Sequence, residues 1–147
     1  MLALRAERRG AAAVSYSFKL VSKIPASPEA VYDAWLDSAA HSAMTGAEAT
    51  ASDQVGADFT AWDGYIRGRN VELVKGRRIV QSWRTSKFSD ADPDSIVTVT
   101  LAPAKGGVRL TLEHSNVPDG HKSYEGGGWE DNYFAPMKEY FGKERRR

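Results

Sequence analysis

Gly126-Gly127-Gly128-Trp129-Glu130-Asp131-Asn132-Tyr133-Phe134-Ala135-Pro136-Met137-Lys138-Glu139-Tyr140-Phe141 is the stretch that decides the architecture. Trp129, Tyr133, Met137, Tyr140 and Phe141 recur at spacings of four, four, three and one. At 3.6 residues per turn they share one stripe of a helix, with Glu130, Asp131, Lys138 and Glu139 largely off it. Burying each large side chain is worth about 1.5–3 kcal/mol, so a broad apolar surface is expected against this helix. Such a stripe is either a packing face or the wall of a ligand cavity. A helix laid across a curved sheet can be both. Three consecutive glycines propagate a helix poorly, so the regular part is predicted to start near Trp129. Glu130 and Asp131 then complement the positive end of the helix dipole. Pro136 removes a backbone donor and predicts a kink or local break.

Upstream of this helix the texture is different. From Gly46 to Pro118 the chain reads as short alternating runs punctuated by turn dipeptides. Ala47–Ala51 reads as a weak strand and Ala57–Trp62 as another, followed by Asp63-Gly64, a strong hairpin signal. Tyr65–Val74 follows, with Gly68 marking a bulge or a close backbone approach. Arg77–Ser86, Ser95–Leu101 and Val108–His114 complete an expected antiparallel meander. Before it, Tyr16–Ile24 alternates as a half-buried strand does. Ser27-Pro28-Glu29 is a helix start: a capping hydroxyl, proline at the first helical position and an early carboxylate. Val31, Trp35 and Leu36 form that helix's apolar side, and Ser38–Thr45 is a second short helix closed by Gly46. The expected class is therefore α+β, with helices against one sheet.

Composition narrows the function. At 147 residues and 41% hydrophobic content, one globular domain is expected over residues 15–143. Residues 1–14 read as a disordered extension and residues 144–147 as a basic tail. The two ends carry +2 and +3 of a net charge of +1, so the body is mildly acidic, against a nucleic-acid-binding face. No apolar run is long enough for a membrane span. The chain has no cysteine, which removes thiolate chemistry and fits a reducing compartment; a cytoplasmic location is expected.

Motifs for catalysis are scarce. His41, His114 and His121 have no paired spacing, so no metal site is expected. Asp90, Asp92 and Asp94 open like a calcium loop, but Ser95 and Leu101 stand where glycine and glutamate are needed, leaving a polar turn. There is no nucleotide or nucleophile-elbow fingerprint, and no cofactor is expected. Glu72 or Glu113 with His114 would suit acid–base work only if the fold brought them together. Arg69 and Arg84 are ionisable groups on strands otherwise rich in Trp and Val, where facing solvent or pairing with a carboxylate is the ordinary role.

The order strand, helix pair, meander, long helix resembles the helix-grip fold, also called START-like or Bet v 1-like. Ile79-Val80-Gln81-Ser82-Trp83-Arg84, Val97–Leu101, Arg109–Leu112, Asn116-Val117-Pro118 and Gly128-Trp129 through Lys138 are similar to the family of activators of heat-shock protein 90 ATPase. The similarity is strongest to the carboxy-terminal domain of the eukaryotic co-chaperone and spans about residues 16–142. It implies a non-catalytic, co-chaperone-like or stress-related binding module with a heat-shock protein 90 chaperone as partner. That co-chaperone's amino-terminal domain, which binds the chaperone's middle segment, is not expected within these residues, nor is strong activation. The wider superfamily implies an alternative: a carrier or enzyme for a small hydrophobic, lipid- or polyketide-like ligand. Trp62, Trp83, Tyr133 and Met137 are the candidate cavity wall, with Arg84 as a polar anchor.

Overall fold

Ser15–Ile24 forms the first strand, β1, and Pro25 ends it. The computed structural model describes residues 15–145; the N-terminal extension and the last two residues of the basic tail lie outside that range. Two short helices follow, α1 (Pro28–Trp35) and α2 (Ser38–Thr45). The Ser27 hydroxyl accepts the Ala30 N–H at 3.1 Å, and the Asp37 carboxylate accepts that of Ala40 at 2.9 Å. Each cap satisfies an amide that the first turn leaves without a helical partner. Gly46 closes α2 at φ 85°, a left-handed position that suits glycine.

Five strands then run as a meander: β2 (Asp58–Ala61), β3 (Ile66–Val74), β4 (Arg78–Thr85), β5 (Ser95–Ala104) and β6 (Gly107–Pro118). β1 joins the far side of β6, giving one antiparallel sheet of order β1-β6-β5-β4-β3-β2. The expected strand at Ala47–Ala51 is reduced to a single bridge between Thr50 and Thr60. A segment of mostly small residues has little side-chain surface to pack on a pleat, so it lies beside β2 as a loop. Gly68 is a close approach: a Cβ there would run into the Ser82 carbonyl on β4. The bulge of β3 lies further along, between Asn70 and Glu72.

Alternation sets the inner face. Ile79, Gln81, Trp83 and Thr85 of β4, Ser95, Val97, Val99 and Leu101 of β5, and Val108, Leu110, Leu112 and His114 of β6 are all buried. Against this face lie α1, α2 and the closing helical stretch. That stretch begins at Gly128, makes a π-helical turn over Glu130–Phe134, and continues as α3 (Ala135–Arg145). The break expected from Pro136 takes this form. The turn before the proline widens, and the Ala135 N–H reaches back to the Glu130 carbonyl. One consequence was not visible in the stripe: the wider turn brings Phe134 inward beside Tyr133, so both are buried along with Trp129, Met137 and Phe141.

Gly68→Ala should lower stability by about 1–3 kcal/mol, because its methyl has to displace backbone. Gly126→Ala, whose Cβ meets only the Lys122 carbonyl at 3.5 Å, should stay within about 0.5 kcal/mol of wild type. Urea unfolding of the two variants measures the contrast.

Candidate functional site

Trp129 stands at the start of the closing helical stretch with its ring against β4 and β6. Its indole N–H donates to His114 Nδ1 at 3.2 Å. That assigns the remaining imidazole proton to Nε2, which donates to Ser95 Oγ at 2.9 Å. Ser95 in turn donates to the Trp83 carbonyl at 2.6 Å. A line of three donors thus runs from helix to sheet with each polar atom served. Burial pushes the His114 imidazole down to about 3, so it is neutral at physiological pH.

His41 repeats the pattern on the other side. Its Nδ1–H donates to the Trp35 carbonyl at 2.8 Å, and Nε2 accepts the Tyr133 hydroxyl at 2.8 Å. Burial lowers its pKa, opposed in part by the bond to Trp35, and burial raises that of Tyr133. A third buried line runs from Trp35 Nε1 to Gln81 Oε1 at 3.2 Å and from Gln81 Nε2 to Asn70 Oδ1 at 2.9 Å. Asn70 then donates to the Ser52 and Gln54 carbonyls. Around these lines the rings of Trp35, Trp83, Trp129 and Tyr133 pack with centroids 5.0–6.4 Å apart. Such spacings favour aromatic pairs.

Beside this cluster is a cavity of about 290 Å³, near the lower end of the range for small-molecule sites. Trp62 and Tyr65 come from the β2–β3 turn, Ile66 from the start of β3, Trp83 from β4 and Tyr124 from the 3-10 turn Lys122–Tyr124. Gly128, Trp129, Asn132 and Tyr133 close it from the helical side. None of the nine is charged. Tyr124 exchanges hydrogen bonds with Thr85 and His121 at 3.2 Å, and burial pushes its hydroxyl up to about 12. The cavity's polar groups are therefore neutral ones.

Three of the five residues singled out from sequence, Trp62, Trp83 and Tyr133, line this space. Met137 does not: it is fully buried one turn further down the helix, in the core. Arg84 does not either. It follows Trp83 on β4, so the pleat sends it to the opposite face. There its guanidinium holds Asp94 Oδ1 at 2.8 Å and the carbonyls of Asp92 and Ser89 at 3.1 and 2.9 Å. It fastens the 89–94 loop and is not an anchor for a ligand under the helix. Glu72 pairs with Arg78 at 2.9 Å on the exterior, remote in role from His114. Tyr65, Ile66, Tyr124 and Asn132 also line the wall without having been singled out in the sequence. Their only signal there is membership of a strand, a turn or the helix's first turns.

Trp62 is unusual in two respects. It has φ 52°, followed by Asp63 at 59° and Gly64 at 89°. The two-residue turn expected at Asp63-Gly64 is thus a four-residue turn, tied down where Asp63 N–H donates to the Glu48 carbonyl and its carboxylate accepts the Glu48 N–H, both at 2.9 Å. A bulky left-handed residue costs about 1–3 kcal/mol. Its indole Nε1 is also buried without a hydrogen-bond partner, one of two such side-chain atoms among the described residues, with Ser22 Oγ. An unpaired buried donor costs about 1–3 kcal/mol more.

Fold and site together define a helix-grip domain with an aromatic, uncharged cavity between sheet and closing helix. Comparison with known proteins extends this. The family model described as activator of Hsp90 ATPase homolog 1-like protein matches residues 25–142, and the chain belongs to that family. The human activator of 90 kDa heat shock protein ATPase homolog 1 is 28% identical over 116 residues, which are 79% of this chain and 34% of the human protein. This chain thus spans about a third of the length of that relative. A crystal structure of an HSP90 activator from Plasmodium falciparum superposes with a TM-score of 0.78 at 26% identity, covering 86% of this chain and 96% of that one. CalU16 from Micromonospora echinospora gives 0.62 at 26% identity, over 79% of this chain and 70% of its own.

Trp129→Ala should cost about 3–5 kcal/mol through lost burial and the cavity left behind. Trp129→Phe, which keeps a ring but leaves His114 Nδ1 without its donor, should cost about 1–3 kcal/mol; urea midpoints of the two variants check the order. The histidines also predict acid sensitivity. Their folded pKa values lie below the unfolded value near 6.5, so between the two it is the unfolded chain that binds the extra proton. Their contribution is complete above pH 6.5 and is lost as pH falls, toward about 3 for His114, at up to about 1.4 kcal/mol per pH unit for each. Unfolding midpoints measured from pH 7 to 4.5 should fall. His114→Gln should start lower and fall less steeply.

Proposed function

We propose that this protein is a non-catalytic binding module of the co-chaperone kind, which engages an Hsp90-type chaperone in the cytoplasm. The observation that supports it most is the family match across residues 25–142, with the helix-grip frame of the Plasmodium HSP90 activator matched over nearly that whole chain. The chemistry inside the domain agrees. Both buried histidines have each ring nitrogen committed to a hydrogen bond, and Arg84 is held by its loop, so none is available as an acid, a base or an anion anchor. The mildly acidic body does not suit nucleic acid. Among the described residues no helix is long and apolar enough to cross a membrane.

A second reading, carriage of a small uncharged aromatic molecule, is favoured by the cavity beside Trp83 and Trp129. The two are compatible, since the cavity occupies only one end of the sheet.

Titrating isotope-labelled protein with the Hsp90 homologue of its own organism should move a contiguous set of amide resonances and change the chaperone's ATPase rate modestly. Unchanged spectra at a large excess of chaperone would sink the co-chaperone reading.

A further inference from the structure

Ligand selection by this cavity rests on the carrier reading and gives it chemical content. The cavity walls are mostly rings: Trp62, Tyr65, Trp83, Tyr124, Trp129 and Tyr133. Flat apolar walls favour a flat apolar occupant, because offset and edge-to-face ring contacts are available on several sides. No charged side chain lines the space, so an ionised ligand would lose its water without compensation. Orientation then falls to whichever polar group is still free to bond. Tyr133 is already bonded to His41, Tyr124 to Thr85 and His121, and the Trp129 indole to His114. Of the buried polar atoms on these rings, the Trp62 indole N–H is the one with no acceptor.

We propose that the cavity takes an uncharged, planar aromatic molecule bearing a carbonyl-type acceptor, and that Trp62 selects it by donating its indole N–H to that acceptor. This N–H is covered by protein atoms that offer it no acceptor. It sits on a turn in which Trp62 and Asp63 are held in the left-handed region, away from the basins that non-glycine residues prefer. A small rotation of the Trp62 ring toward the cavity lets a ligand carbonyl supply what the folded protein does not. Binding and turn movement are therefore coupled, and the coupling is specific to ligands that can accept a hydrogen bond. Asn132, exposed at the rim, supplies a second neutral contact.

Matched probes test this: 2-acetylnaphthalene, 2-isopropenylnaphthalene of closely similar shape without the carbonyl acceptor, and 2-naphthoate with a charge. Affinities are measured by calorimetry for wild type and Trp62→Phe, and the indole N–H resonances are followed in the wild-type protein. Trp62→Phe should weaken the ketone on the order of tenfold while changing the hydrocarbon less than about twofold. The ketone, and not the hydrocarbon, should move the Trp62 indole resonance downfield. Naphthoate should bind more weakly than the ketone. Equal losses for ketone and hydrocarbon, an unmoved Trp62 resonance, or naphthoate binding as tightly as the ketone would each overturn the selection by Trp62 while leaving the cavity a ligand site. Binding of none of the three overturns the carrier reading together with this one.

Discussion

A tryptophan N–H pointed at an imidazole inside a sheet is costly unless every neighbouring polar atom is also served. Here the chain from Trp129 through His114 and Ser95 to the Trp83 carbonyl serves all of them, and it joins four elements: the closing helical stretch, β6, β5 and β4. It fixes the rotation of the closing helix about its axis. With Trp129 so placed, Tyr133 falls beneath His41, and the two short helices acquire their own bond to the same helix. The cavity is what remains between these fixed rings and the β2–β3 turn. Its sheet side is held by hydrogen-bonded side chains, whereas the Trp62 indole N–H on the opposite side has no partner.

Local chemistry was the most legible part of the chain. The Ser27 cap, the left-handed Gly46, the hairpins and the aromatic stripe depend on near neighbours, and each is where its residues put it. What failed to show in the sequence depends on parity or on distance. Trp83 and Arg84 are adjacent on a regular strand and cannot share a face, so naming both as cavity residues is inconsistent with a two-residue period. Met137 lies on the correct stripe but one turn too deep. Depth along a helix is set by what it packs against, which periodicity does not report.

The polar lines are hidden for a related reason. Gln81, Ser95 and His114 sit at inward positions of strands whose neighbours are Val, Ile and Leu. Read singly, a polar residue on an apolar face looks like an interruption. Paired with Trp35, Trp83 and Trp129 in space, the same residues are the partners that let three large rings and their backbone neighbours be buried together. The left-handed Trp62 has no sequence signal, since the Asp63-Gly64 pair that follows it suits a shorter turn.

The place of β1 in the sheet has a consequence for synthesis. Its partner is β6, with Ser15 opposite Pro118 and Ile24 opposite Val108. The first strand made thus finds its hydrogen bonds only after all the other strands exist. On a ribosome adding about 5–20 residues per second, it waits on the order of 5–20 s as an unpaired segment. The two helices behind it and the β2–β5 hairpins can form from near neighbours in that interval, but the sheet cannot close over its core. During translation β1 therefore stays without its sheet partner until β6 has emerged.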